Sequence, residues 1–357
     1  MEGSPIDIVI FAPLAPILGV LLFWFIQLVF IEGEKYSLEK IRNQHEPLCR
    51  FTNFLGVLFQ TICHALGYTI TKSGISDFYI SVSYGRVAPK KEKKGIFEWI
   101  ANAFLFIGPF FIPAFLLLLL LFLMMQDGFQ IIIPEQLLDL KYSFSGQMNT
   151  FGTSLYNFSN NFFGFLFNID LLHPPHIGFL FLMIFLGMGM RPSHIGEKKI
   201  EKVDMIYDLR NIWALITHKP LYLIILFLCA YVFFYISLFL DQNWYVGLFS
   251  IFGWLSIISI VSILIAIMIF ILIRITDEIK GSRRFIPYIL IPVIYVLMRL
   301  LFFNFPSEYT NSASLLVTVL VTGFTAFILH NKATNKFKFK LRIKLFDKKK
   351  DKDEEDE

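Results

Sequence analysis

The chain is poor in most of what a soluble domain or a secreted scaffold requires. Only three of its 357 residues are cysteine (Cys49, Cys63 and Cys229), and their spacing makes neither a structural zinc site nor a disulfide framework. Charge is scarce as well, with Asp, Glu, Lys and Arg at 17% of the chain against about a quarter in soluble domains. The first apolar run has no basic start and no small-residue cleavage site, so it reads as a retained span and not as a signal peptide. No internal repeat is visible, which argues against an inverted-repeat transporter. What the chain has in abundance is apolar surface: 56% hydrophobic residues, 42 of them Phe. The fold class expected is an all-α polytopic membrane protein.

Eight apolar segments have the length to cross a hydrocarbon core about 30 Å thick: residues 8–31, 51–70, 96–125, 172–190, 219–240, 245–275, 285–304 and 312–330. Lys and Arg crowd the loops after the second, fourth and sixth of these and the tail after the eighth. The alternate loops are nearly free of them, with only Lys141 between the third and fourth segments. By the positive-inside rule this predicts eight transmembrane helices with both termini cytoplasmic. Segment 32–50 mixes Glu and Lys/Arg and falls outside by parity, as a surface helix. The outside loop 126–171 is rich in Phe, Asn and Ser and predicts a partly buried amphipathic helix.

Residues 77–84, Asp-Phe-Tyr-Ile-Ser-Val-Ser-Tyr, alternate and end in Gly85, which predicts a strand of a small cytoplasmic β-hairpin. The tail alternates more strictly: Lys336, Lys338, Lys340, Arg342 and Lys344 are separated by Phe or aliphatic residues. A basic-apolar strip of this kind suits contact with an anionic lipid surface, or pairing with the 78–84 strand. Residues 351–357 are acidic. Ile200, Val203, Ile206 and Leu209 recur every three residues and predict an amphipathic surface helix.

Segment 51–70 carries Thr52, Asn53, Gln60, Thr61 and His64 among its apolar residues. Polar side chains inside a membrane face a protein interior or a functional cavity. Within it, His64-Ala65-Leu66-Gly67-Tyr68 has the frame of H-E-x-x-H, in which residues four apart on a helix share one zinc and the Glu activates its water. Ala65 stands at the base position and Tyr68 at the second ligand position. Together with the strand-like segment that follows, the Gly108-Pro109 and Pro113 break in the third span, and Gly187 to Gly196 at the end of the fourth, this resembles the site-2 proteases, intramembrane zinc metallopeptidases.

The resemblance implies a three-helix core over residues 51–200. Around it stand an N-terminal helix and surface segment (1–50), C-terminal transmembrane helices (201–330) and a basic, then acidic, cytoplasmic tail (331–357). The family's third ligand, an Asp, has no match at the end of the fourth span, where His194 is the nearest ligand type. The expectation is therefore a degenerate member, catalytically inactive. It needs no cofactor and engages the lipid bilayer and membrane-protein clients, not nucleic acid. Clients would add to the strand at Phe78, Ile80, Val82 and Tyr84. The first alternative is an active zinc peptidase with His64 and His194 as ligands. The second is a transporter whose path is lined by Asn53, Gln60, His64 and Asn102. For His64, Ala65 and Tyr68, plain packing inside a helix bundle is the competing role. His173 and His176 sit at the opposite membrane face by this topology, and His45, His218 and His330 have no spacing partner.

Overall fold

The computed structural model describes residues 4–125, 142–197 and 199–334. A π-helical turn, Asp7–Phe11, leads into α1 (Leu14–Ile41), and after the turn 42–45 comes α2 (Glu46–Ile70). The hairpin β1 (Ile75–Ile80) and β2 (Gly85–Pro89) precedes α3 (Ile96–Phe106) and α4 (Gly108–Met124). Next are α5 (Phe144–Phe167), α6 (Pro174–Gly189) and two short strands, β3 (His194–Ile195) and β4 (Glu201–Lys202). The chain continues with α7 (Met205–His218), α8 (Pro220–Phe239), α9 (Trp244–Asp277), α10 (Ile286–Leu301) and α11 (Ser307–Ala333).

The bundle is built on α9, which packs against α1, α4, α5, α6 and α11. Its buried face is a run of small residues, Ser250, Gly253, Ser256, Ser259, Ser262 and Ala266, and small residues let helix backbones approach closely in a bilayer. At the tightest crossing a Cβ on Gly187 would lie 2.0 Å from the Ser262 carbonyl oxygen, so α6 meets α9 backbone to backbone. Helix α5 lays Phe151, Leu155, Phe158 and Phe162 into the core, with Phe158 stacked on Trp254 at 5.2 Å between ring centres. The amphipathic helix expected in 126–171 is thus present from Phe144 onward.

Five helical segments are long and apolar enough to cross a membrane: α1, α8, α9, residues 281–301 and residues 309–333. The α3–α4 pair makes a sixth if it is one span, bent by 68°. Pro109 explains the break, since it cannot donate to the carbonyl one turn back. Helices α2 and α6, counted among the eight expected spans, fall outside this set: α2 is too polar and α6 is a short apolar helix. The protein is an integral multi-pass membrane protein.

Contacts sort the loops to two ends of the bundle. At one end, Phe144 N donates to Asp7, Tyr142 to Asp241, and the Tyr245 hydroxyl to Pro13 O. Arg299 and Asp170 pair there too, joining the α5–α6 loop to the C-terminal end of α10. At the other end, His45 contacts Asp277 at 2.9 Å and His330 contacts Glu278 at 3.4 Å. Residues 4–13 and His330 therefore lie at opposite ends of α9.

Three local expectations are corrected. Residues 32–50 are not a separate surface segment: they are the last turns of α1, the turn 42–45 and the first turn of α2. The 200–209 repeat is not one helix. Residues 200–204 are non-helical, β4 pairs with β3, and α7 begins at Met205 because the Asp204 carboxylate caps it from the side, accepting from Tyr207 N. In the hairpin, β1 stops at Ile80, so Val82 and Tyr84 sit in the turn, closed by Ser81 N donating to Tyr84 O.

Candidate functional site

Helix α2 turns its polar stripe inward and its apolar residues outward, the reverse of a soluble amphipathic helix. Thr52, Asn53, Gly56, Gln60 and Thr61 are buried, while Phe51, Ile62, Leu66 and Ile70 are exposed. That is the arrangement a helix in lipid adopts when its polar groups have something to hold. Three elements pack on the stripe. A Cβ on Gly56 would come 2.3 Å from Pro192 N, so the segment leaving α6 crosses α2 in direct backbone contact. The hairpin runs back along α2, Gly85 beside Thr61, and α3 covers Gly67 with Ala101 and Phe104.

Two polar clusters result. At the first, Asn53 Nδ2 donates to Val82 O (2.7 Å) and His194 O (3.0 Å), while its Oδ1 accepts from Ser193 N (2.8 Å) and His194 N (2.9 Å). One side chain ties the hairpin tip and the β3 strand to α2. The second cluster is Gln60 and His64. Gln60 Oε1 and His64 Nε2 are buried and have no hydrogen-bond partner among the described residues. Both residues line a partly open cavity of about 310 Å³ with Thr61, Gly85, Arg86, Val87, Phe106 and Tyr207.

The remaining predicted site residues take plain positions. The Tyr68 ring rests against that of His64, 4.5 Å between centres, and Ala65 is buried in packing. His194 is fixed through its backbone at Asn53, eleven residues from His64 on α2, about 16 Å along the axis. Its side chain lines a different cavity. The pair proposed as zinc ligands is not brought together. Among the described residues no group of three His, Cys, Asp or Glu side chains is placed to hold a metal ion. Phe78 is exposed on β1 and Ile80 half-buried. His173 and His176 face each other, 4.7 Å between ring centres, beside Asp170 and away from α2. Asn102 lines a third cavity with Trp99 and His218. Lys336, Lys338, Lys340, Arg342 and Lys344 lie outside the described residues.

Sequence reasoning missed the charged group behind this site. Arg191 and Asp208 form a buried ion pair, and the guanidinium sits 5.4 Å from the centre of the Phe110 ring. Lys35, also buried, donates to Val203 O at 2.7 Å. Gln27 donates to Phe110 O and reaches Met190 Sδ. The signal in the sequence was Arg191 itself, a charge at the end of an apolar run, with Asp204 and Asp208 as the acidic residues that follow within reach. The chain matches no protein-family model, no curated protein and no solved structure.

Proposed function

We propose that this protein is a non-catalytic, site-2-protease-like membrane scaffold that holds an extended segment of another membrane protein along β1. The observation that carries the reading is the hairpin. It lies on the helix bearing His64-Ala65-Leu66-Gly67-Tyr68, and among the described residues no further strand pairs with β1. β2 is turned to α2, with Val87 buried, whereas Phe78 and Tyr79 of β1 are exposed. An unpaired edge offers backbone donors and acceptors to any extended chain. Beside it, Ala65 has no group that can accept a proton and Tyr68 is a poor zinc ligand.

The same reading includes a topology. α2 enters and leaves by one face, the cytoplasmic one, so that residues 4–13 are outside and residues 42–45, 277–285 and 330 inside. This puts Lys40, Arg42 and Arg50 on the positive side, as the charge rule requires. Cysteines introduced at Ser4 and Asn43 should react with a membrane-impermeant maleimide from opposite sides; reaction from one side would exclude it.

The client reading is tested with the full chain in nanodiscs and a synthetic extended peptide, Lys-Phe-Lys-Phe-Lys-Leu-Arg-Ile-Lys-Leu, with a proline-interrupted control. The alternating peptide should slow amide hydrogen exchange across residues 75–80, and the control should not. Equal protection by both, or by neither, removes the strand-addition reading. Purified protein should carry far less than one zinc per chain. Stoichiometric zinc that disappears in His64→Ala would overturn the non-catalytic assignment.

A further inference from the structure

Helix α1 has 28 residues, about 42 Å at 1.5 Å per residue, roughly 12 Å more than a hydrocarbon core of about 30 Å. With its N-terminal end at one edge of that core, the last turns of α1 reach the headgroup level of the opposite leaflet. There α1 and α2 diverge from the turn 42–45 and enclose a cleft of about 400 Å³. At its floor are Asn53, His194 and Lys35. Lys35 is 7% exposed and spends one donor on Val203 O, leaving two of an ammonium's three N–H groups.

Charges of both signs line the cleft: Arg42, Arg50 and Lys202 with Glu39 and Glu46, none of which makes an ion pair or a side-chain hydrogen bond with a described residue. Glu32 lines it too, its carboxylate accepting from Met205 N. Below them the wall is apolar, with Leu38, Val82 and Ile200. The His194 imidazolium is disfavoured, first by burial and then by Arg42, Lys202 and Lys35, with Glu39 opposing. The cleft thus offers an anion three cations and a cation two carboxylates, none with a partner among the described residues, beside an apolar wall.

We propose that this cleft binds an aminophospholipid, a phosphodiester that carries a primary ammonium, from the leaflet at this end of the bundle. Arg42, Arg50 and Lys202 hold the phosphate, since charge-assisted hydrogen bonds to phosphate are the strong ones. Glu39 and Glu46 accept from the ammonium. The first methylenes of the acyl chains lie on Leu38, Val82 and Ile200. The site is independent of the client reading and requires only that the bundle be embedded.

The test uses the full chain, delipidated in detergent and titrated by native mass spectrometry with phosphatidylethanolamine, phosphatidylcholine and water-soluble phosphoethanolamine. Phosphatidylethanolamine should bind about fivefold more tightly than phosphatidylcholine, whose quaternary ammonium donates no hydrogen bond. Phosphoethanolamine should bind at least about a hundredfold more weakly, lacking apolar chains to bury. Equal binding of the soluble headgroup would make a free phosphate compound the ligand and overturn the lipid assignment. Arg42→Gln with Arg50→Gln should weaken phosphatidylethanolamine about tenfold, and Arg42→Lys with Arg50→Lys should restore most of it. Glu39→Gln with Glu46→Gln should abolish the preference over phosphatidylcholine. Unchanged binding in the first pair, or an undiminished preference in the last, overturns the site; thermal midpoints of all three pairs exclude misfolding as the cause.

Discussion

Along α2 the Asn53 cluster and the Gln60–His64 cluster are built from the same kinds of residue, and they end differently. Every hydrogen-bonding arm of Asn53 is taken by backbone from two other elements. Gln60 Oε1 and His64 Nε2 end at a cavity with no partner among the described residues. Polar groups inside a membrane protein are costly, so each must be held by the fold or directed at something else. Asn53 belongs to the first case, and its chemistry is used up in holding the hairpin and β3 in place. Gln60 and His64 belong to the second, and theirs is still open. The motif that first drew attention and the residue that holds the site together are therefore different residues.

The sharpest way to break this contrast is Asn53→Ala. It strands two backbone N–H groups and two carbonyls, each costing about 1–3 kcal/mol when buried, with some relief because the cleft is open on one side. We expect a loss of about 3 kcal/mol, read as a fall in thermal midpoint in detergent. Amide exchange should accelerate at residues 81–84 and 193–196 but not in α9. Asn53→Asp keeps the acceptor and loses both donors, so it should recover less than half. A midpoint shift of under about 0.5 kcal/mol in Asn53→Ala, the scale of a neutral surface change, would show that the clamp is not structural.

Much of the fold was legible because membranes simplify the code. A run of apolar residues near 20 long has few alternatives, and α8 and α9 appear within a few residues of their expected bounds. Period-two alternation ending at Gly85 marked the hairpin for the same reason that a strand alternates its faces. Under the proposed topology, in which α2 does not cross, counting it as a crossing inverts everything before it and leaves the sides of later loops untouched, and 32–50 then fits the charge rule. Hydropathy could not reveal that α2 lies against α3 and the hairpin, because that is decided at single residues: Gly67 under Ala101 and Phe104, Gly85 beside Thr61, and Asn53 bonded to the hairpin tip. The Arg191–Asp208 pair was hidden by sequence distance, since a loop and two short strands intervene. The 200–209 repeat misled because three-residue spacing over so short a span also fits an irregular segment that buries Val203.

A smaller effect tests the other half of the contrast. In Gln60→Met the carboxamide, whose oxygen has no hydrogen-bond partner among the described residues, gives way to an apolar chain of similar length. Removing a polar atom that makes no intramolecular bond is close to neutral. Stability should change by less than about 1 kcal/mol in either direction, in contrast to Asn53→Ala. A loss of about 3 kcal/mol would mean that the fold depends on Gln60 no less than on Asn53, and the division of α2 into a held half and an open half would collapse.

The smallest effect is the pH dependence that His194 contributes. His194 lies outside the spans, and burial, followed by Arg42, Lys202 and Lys35, lowers its pKa from the ordinary value of about 6.5. Because the folded state holds its proton less tightly than the unfolded one, stability rises with pH through the window below 6.5. It falls as the solution is acidified from pH 7 towards 5. His194→Gln should flatten that part of the profile while leaving the pH 7 midpoint nearly unchanged, because the Asn53 bonds are to the backbone of residue 194 and survive the substitution. Glu39→Gln should steepen it, since Glu39 is the carboxylate that favours the imidazolium. If His194→Gln leaves the slope as it was, the cations at the cleft floor do not act on this ring. The pH dependence would then have to come from another group.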